Sequence, residues 1–479
     1  MSSESGRILI ANSQVIASLK EGDHLGCDVQ GRLYIQKPPG EASPITEFFR
    51  RFQKEATKED TSNAVVLATE KYFETLDPKE FPERYREILE ILKREGFLLP
   101  GDRTRLVDII YHHRHQGLIK SGYDSITAEG ILSIEMSFDA EIALEVRKQI
   151  CPQLINQGLG GSYYIKNFRG EKIGVFKPSD EEVYMPHNPR DKLPDVHDRF
   201  LRKGKRQRVG HIAGTSCYKE TLAYDLAGKS SGIPFTTLIT VPFPVAKGSR
   251  SMMLKTGSFQ QFMPGVSFHE LKISDITSIP TTEVQKQAAF DLAFGNSDRN
   301  YGNGLYDKRK GELHSIDQGL ILLDSLNWNN PVHDIFAETH GCWMVFSQAK
   351  ESIDAEIKNW IHDLNEGEIE QKIRATFVSM LTLENPPPKM EELQKYVDGI
   401  VVANKTQILF LKKAVEKGFT LYEIGEMVME TSSNSISRPL LERICKKMSV
   451  SLKDPEVQED PWKFLSSLMD EHLERELKK

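Results

Sequence analysis

The stretch Ala293–Leu322, AFGNSDRNYGNGLYDKRKGELHSIDQGLIL, constrains the fold more than any other part of this chain. It holds two polar islands, Asp298-Arg-Asn-Tyr-Gly-Asn303 and Asp317-Gln-Gly319, and the residues between them read as a hairpin. A hairpin returns the chain antiparallel to itself, so Asp317 arrives from the far end beside the first island. Asp, Asn and Gly are also the common turn residues, and each island alone reads equally well as a plain turn. Together they offer carboxylate and amide oxygens, the donors that magnesium accepts beside substrate phosphates.

Phosphoryl transfer needs backbone donors over the phosphates, a lysine on them, a carboxylate to hold that lysine, and ligands for magnesium. The chain carries each in that order. Gly158-Leu-Gly-Gly-Ser-Tyr163 lies ahead of a strand, and its glycines let the backbone approach an anion closely; a hairpin turn uses the same residues. Lys177 ends the apolar run Val175-Phe176, where it reaches into a cleft or snorkels to solvent. Glu220 opens a helix with Leu222, Ala223 and Leu226 on its buried face. It is placed either to hold Lys177 or to sit as a first-turn glutamate on the helix dipole. Asp298 and Asn303 have the Asp-x4-Asn spacing of a kinase catalytic loop, where Asp orients the nucleophile's proton and Asn ligates metal. Asp317-x-Gly319 takes the place of the metal-binding segment that follows such a loop. The joint order is much harder to obtain by chance than any single piece.

Texture divides the chain. Residues 1–150 form a mixed, mostly helical accessory domain. It starts with short β-like runs, Arg7–Ile10 and Gly31–Ile35, and turns helical from Ile45 to about His115 and again from Ala140 to Ile150. Residues 151–264 are β-rich: Ser162–Ile165, Ile173–Lys177, Phe235–Val241, Met252–Lys255 and Phe259–Met263 read as strands, with a helix over Gly210–Lys229. Residues 265–450 are largely helical, and 451–479 form a helical tail. A β-rich lobe followed by a helical lobe is an α+β arrangement with a cleft between them.

Several separate blocks resemble a known family. Val175-Phe-Lys-Pro-Ser-Asp-Glu-Glu182 with Asn188-Pro-Arg190 is similar to the lysine strand of the type II phosphatidylinositol 4-kinases, most of all the plant gamma-class branch. Lys219-Glu-Thr-Leu-Ala-Tyr224 resembles the helix of the paired glutamate, and Gly257-Ser-Phe-Gln-Gln-Phe262 the hinge strand. Asp298–Asn303 and Ile316–Leu320 resemble the catalytic and metal loops. Trp343 with Ser347–Lys350, and Gly418–Gly425, resemble later segments of the same lobe. The blocks span roughly residues 151–447. The resemblance implies a bilobal protein-kinase-like (lipid kinase) fold using ATP and Mg2+ or Mn2+. It implies Lys177 on the ATP phosphates, Glu220 as its anchor, Asp298 orienting the acceptor hydroxyl, and Asn303 and Asp317 on metal. Gly160, Gly161 and Ser162 would cover the phosphates, and Gln261, Phe262 and Met263 would meet the adenine. The cysteine-rich acylation motif of the animal enzymes and the ubiquitin-like repeats of many plant relatives are not found.

Composition narrows the partners. A net charge of -7 disfavours a general nucleic-acid binder. Five scattered cysteines fit a reducing compartment without structural zinc. No signal peptide, lipidation motif or membrane-spanning run is read, so the expected location is cytoplasmic, with any membrane contact peripheral. The insert RDKLPDVHDRFLRKGKRQRVGH places Arg199, Arg202, Lys203, Lys205, Arg206 and Arg208 where they can touch anionic headgroups at about 1 kcal/mol each, or form a solvated loop. No Lys or Arg occurs from Gly311 to Ala349, which disfavours an already phosphorylated inositol lipid. Phosphatidylinositol and a protein hydroxyl both remain as acceptors, so a Ser/Thr protein kinase is the second reading. A non-catalytic nucleotide-binding module recruited through residues 1–150, which also offer a surface for a protein partner, is the third.

Overall fold

The computed structural model describes residues 7–10, 24–27, 33–36, 111–138, 144–190, 211–246, 248–323, 336, 339, 341–383, 389–429 and 438–478. The chain divides into two compact units, Met1–Ile150 and Cys151–Lys479.

In the first unit, β1 (Arg7–Ile10), β2 (His24–Cys27) and β3 (Leu33–Gln36) form an antiparallel sheet in the order β1-β3-β2. β2 falls in the Gly- and Asp-containing stretch between the two expected strands; its Gly26 weakens the sequence signal. The helix α1 (Ser125–Phe138) buries Ala128, Ile131, Leu132, Ile134 and Met136, and α2 (Leu144–Ile150) follows it. Residues 111–120 are helical, and the helices expected between Ile45 and residue 110 lie outside the described residues.

The second unit begins with a five-stranded antiparallel sheet. It comprises β4 (Gln153–Leu154), β5 (Tyr163–Lys166), β6 (Lys172–Pro178), β7 (Thr236–Pro244) and β8 (Met252–Gln261), in the order β4-β5-β6-β8-β7. The two strands expected at Met252–Lys255 and Phe259–Met263 are one strand. Gly257, between the two expected segments, serves close contact: a Cβ there would lie 2.4 Å from the Lys177 carbonyl oxygen, which crosses it on β6.

Between β6 and β7 runs α3 (Ser216–Ala227), shorter than the expected 210–229. Glu220 therefore sits in its second turn and does not open it. Thr215 makes no side-chain cap. A distant residue takes over: Glu182, just past β6, accepts from the Gly214 N–H at 2.7 Å and the Cys217 N–H at 3.1 Å. The helix end and the strand end are thus fastened to one carboxylate.

The remainder is largely helical, as expected, around a small sheet built on the expected hairpin between the two polar islands; its third strand, at Val266–Ser267, was not expected. The sheet has β9 (Val266–Ser267), β10 (Gly304–Asp307) and β11 (Glu312–Ser315), ordered β11-β10-β9. The described helices are α4 (Ile273–Thr277), α5 (Thr281–Phe294), α6 (Ala355–Asp363), α7 (Glu366–Val378), α8 (Met380–Leu383), α9 (Met390–Glu416), α10 (Leu421–Val428), α11 (Leu440–Ser451), α12 (Pro455–Glu459) and α13 (Pro461–Glu476). α5 is buried almost all round, with Val284, Ala288, Ala289, Phe290, Leu292, Ala293 and Phe294 in the core. The two-turn α10 is started by a reciprocal capping box between Thr420 and Glu423. α13 adds Leu465, Leu468, Met469 and Leu473 to the same core. Among the described residues, no helix is long and apolar enough to cross a membrane.

Burial pushes the Glu182 carboxyl up to about 7, against the pull of the Ser216, Cys217 and Gly214 N–H groups. A carboxyl raised in the folded state binds more protons there than when unfolded, so its contribution is complete below about pH 4.5 and lost as the pH rises through 7. Glu182→Gln cannot ionise. Its stability relative to the parent should therefore improve by up to about 3 kcal/mol from pH 4.5 to pH 8 in urea melts, whatever constant offset the lost acceptor adds.

Candidate active site

Strand pairing sets the first part of the site. β6 and β8 pair with Lys177 opposite Ser258, which brings the lysine beside a hydroxyl aimed at α3. Ser258 Oγ donates to Glu220 Oε2 at 2.6 Å, and Lys177 Nζ donates to Glu220 Oε1. Lys177 Nζ also donates to Asp317 Oδ1 at 2.9 Å. Residues 43 and 140 positions away along the chain thus converge on one ammonium. Burial works against the lysine's charge, but Asp317 and Glu220 outweigh it and raise its pKa. Burial raises the Glu220 carboxyl, with Lys177 pulling it back; the Lys177 ammonium holds Asp317 below the usual carboxylate range. Asp317 takes a left-handed φ of 59°, an uncommon conformation for a non-glycine residue.

The second part is the loop after α5. Arg299, wholly buried, points inward. Its Nε donates to Asp291 Oδ2 at 3.0 Å, one terminal nitrogen to Gln318 Oε1 at 2.8 Å, and the other to the carbonyls of Asn303 at 2.6 Å and Ile316 at 2.8 Å. Trp343 Nε1 donates to the same Asp291 oxygen at 3.0 Å, and the Cys342 N–H to the Arg299 carbonyl at 2.8 Å. Burial raises the Asp291 carboxyl, opposed by Arg299 and Trp343.

The neighbours of Arg299, Asp298 and Asn300, are less buried than it is. Asp298 is half-buried, and its N–H donates to Asn296 Oδ1 at 2.9 Å. Asn303 Nδ2 donates to the Asp298 carbonyl at 2.7 Å, which makes Oδ1 the atom of that amide suited to a cation. The hairpin β10–β11 pairs Gly304 with Ser315, and the Ile316 N–H bonds the Asn303 carbonyl at 3.1 Å. Asp317 therefore follows directly beside Asn303. Among the described residues, no group of three or more His, Cys, Asp and Glu could hold a metal. One amide and one carboxylate instead suit magnesium, which keeps waters and binds substrate phosphates.

The glycine run is the tip of the β4–β5 hairpin, not a lead-in to the first strand. The Ile155 N–H closes it on the Ser162 carbonyl at 2.8 Å, and Gly158 takes a φ of +85°. The Gly161 N–H donates to the Glu181 carbonyl at 2.8 Å, and a Cβ on Gly161 would lie 2.2 Å from a Glu181 carboxylate oxygen. Gly161 is thus small in order to pack, and its donor is engaged inside the fold; Gly160 and Ser162 adjoin it on the tip. Asn188 Nδ2 also ties the tip down, donating to the Leu159 carbonyl at 3.0 Å. In the hinge strand, the Gln261 N–H bonds the Phe235 carbonyl and the Phe262 N–H the Ile173 carbonyl. The Phe262 ring meets the Tyr164 ring edge-on at 6.0 Å. Met263 follows in partly exposed coil. The cationic run Arg199–Arg208 lies outside the described residues.

Sequence reasoning missed Asp291, Gln318, Ser258 and Glu182. Asp291 had a signal: a lone carboxylate inside the apolar run Ala288–Phe294 requires a buried partner. The others had none, because their partners are distant in sequence.

No protein-family model matches the chain. Phosphatidylinositol 4-kinase gamma 5 of Arabidopsis thaliana is 30% identical over 321 residues, 62% of this chain and 45% of that protein. Phosphatidylinositol 4-kinase gamma 7 of the same plant is 29% identical over 337 residues, 66% of this chain and 46% of that protein. Phosphatidylinositol 4-kinase gamma 4 of Oryza sativa subsp. japonica is 27% identical over 343 residues, 68% and 53%. The chain spans about half the length of these curated relatives. Among solved structures, the Helicobacter pylori proinflammatory kinase CtkA aligns with 11% identity and a TM-score of 0.29, over 56% of this chain and 95% of that chain. A likeness at that score carries no weight for the fold.

Arg299→Met and Asp291→Ala should each lower stability by about 3–5 kcal/mol in denaturant melts, since each leaves a buried charge unpaired. The double variant should lose clearly less than the sum of the two.

Proposed function

We propose that this chain is an ATP- and magnesium-dependent kinase with a bilobal, protein-kinase-like catalytic unit, transferring the γ-phosphate of ATP to a hydroxyl of phosphatidylinositol. The convergence of Glu220 and Asp317 on Lys177 carries this reading. A structural ion pair needs one carboxylate; a lysine shared between a buried glutamate and a more exposed aspartate is suited to pass from side chain to phosphate. The similarity to proteins named phosphatidylinositol 4-kinase gamma supports the acceptor class.

In this reading Lys177 binds the ATP phosphates while Glu220 and Ser258 keep it extended. The β4–β5 tip, at Gly160 and Ser162, lies over the phosphates. The adenine meets the backbone at Gln261–Met263. Since the Gln261 and Phe262 N–H groups bond within the sheet, the Gln261 carbonyl and the Met263 N–H are the groups it would use. Asp298 orients the acceptor hydroxyl and takes its proton, while the hydroxyl oxygen forms the new bond to the γ-phosphorus, the bond to the β–γ bridging oxygen breaks and ADP leaves. Asn303 Oδ1 and Asp317 would hold magnesium, which when bound screens the charge of the β- and γ-phosphates. The cationic run at residues 199–208 would add contact with anionic lipid, and the location would be cytoplasmic.

Purified full-length chain, incubated with labelled ATP, magnesium, phosphatidylinositol vesicles and casein, tests this directly. Labelled lipid is the expected product. Label in casein or in the chain alone overturns the lipid acceptor and favours a protein kinase, and no label at all overturns both. Asp298→Asn should lower the rate about 100-fold or more with the fold intact by circular dichroism. Unchanged transfer by Asp317→Ala would show the metal assignment to be wrong.

A further inference from the structure

A second hydrogen-bond chain lies behind the site, built from residues that the proposed mechanism does not use. His211 and Lys219 are both buried, and His211 Nδ1 stands 2.9 Å from Lys219 Nζ. His211 Nε2 stands 2.8 Å from Ser297 Oγ, which donates to the Leu320 carbonyl at 3.2 Å. Lys219 Nζ also donates to the Leu322 carbonyl at 3.1 Å.

The donor inventory fixes the direction of this chain. With Lys219 as an ammonium, which has only donors, His211 Nδ1 is the acceptor. The proton of the neutral imidazole is then on Nε2, which donates to Ser297 Oγ, and the hydroxyl proton is directed to Leu320. Three pieces of backbone are joined: α3 one residue before Glu220, the residue before Asp298, and the turn and coil that follow Asp317. The Ser297 N–H reinforces the last joint at 2.9 Å to the Leu320 carbonyl, and the Leu322 N–H bonds the Phe294 carbonyl at 2.7 Å.

We infer that His211 is a positioning residue for phosphate transfer: in its Nδ1-acceptor form it locks the Asp298 loop to the Asp317 loop and both to the Glu220 helix. The inference rests on the kinase reading for its catalytic consequence and on the geometry alone for the locking.

The test compares His211→Leu with His211→Gln. A glutamine amide supplies one acceptor and one donor, as the neutral imidazole does; leucine supplies neither. Hydrogen exchange followed by mass spectrometry reads the locking, and ATP-dependent labelling of phosphatidylinositol vesicles reads the consequence. His211→Leu should lose protection in peptides covering 297–303 and 320–323. It should lower kcat at least about 10-fold with KM for ATP within about 2-fold, as expected of displaced rather than missing groups. His211→Gln should restore both. Unchanged protection in His211→Leu overturns the inference. So does lost protection with unchanged kcat, or equal losses in both variants, which would mark a packing role. If His211→Leu does not fold, Ser297→Ala decides, because it removes only the final hydroxyl: lost protection at 320–323 supports the chain and retained protection overturns it. If the parent labels no acceptor, the kinase reading fails while the exchange result still decides the locking.

Discussion

The ion pair of Arg299 with Asp291 is the constraint on which the site depends. Both side chains are fully buried. Removing two charges from water costs several kcal/mol per ion unless nearly every donor and lone pair is met. Here the partners are supplied by distant parts of the chain: Trp343 for Asp291, and Gln318 with the carbonyls of Asn303 and Ile316 for Arg299. Those two carbonyls flank the open end of the β10–β11 hairpin. Holding them fixes the backbone beside Asn303 and Asp317.

The cluster around Lys177 has a different character. Glu220 is buried and locked by Ser258, whereas the Asp317 side chain is half exposed. One side of the lysine is therefore fixed and the other is adjustable. The fixed side is only as good as the placement of α3. That helix is fastened at its start by Glu182, at Lys219 by the chain through His211, and at Glu220 by Ser258.

Much of this was legible in the sequence wherever local pattern and final structure agree. The Lys177 strand, the helix around Glu220 and the hairpin between the two islands were readable because turn residues and apolar periodicity act over a few residues. Errors arose where a residue was chosen for something remote. Gly257 falls between the two strands expected at Met252–Lys255 and Phe259–Met263, yet it sits inside one strand and makes room for the Lys177 carbonyl. Gly161, read as part of a loop over the phosphates, also has to make room for Glu181. Glu220 read as a helix opening because the true start at Ser216 is capped by Glu182, far back in the chain.

By itself the sequence determined an α+β second unit and the order of a glycine turn, a lysine, a glutamate and two aspartate islands, since these follow from local propensity and spacing. Only the tertiary structure decided that Lys177 sits between Glu220 and Asp317, that Arg299 turns inward onto Asp291, and that His211 joins three backbone segments. Each of these is a contact between residues far apart in sequence. Its energy depends on burial and on complete hydrogen bonding, and neither exists until the chain has folded.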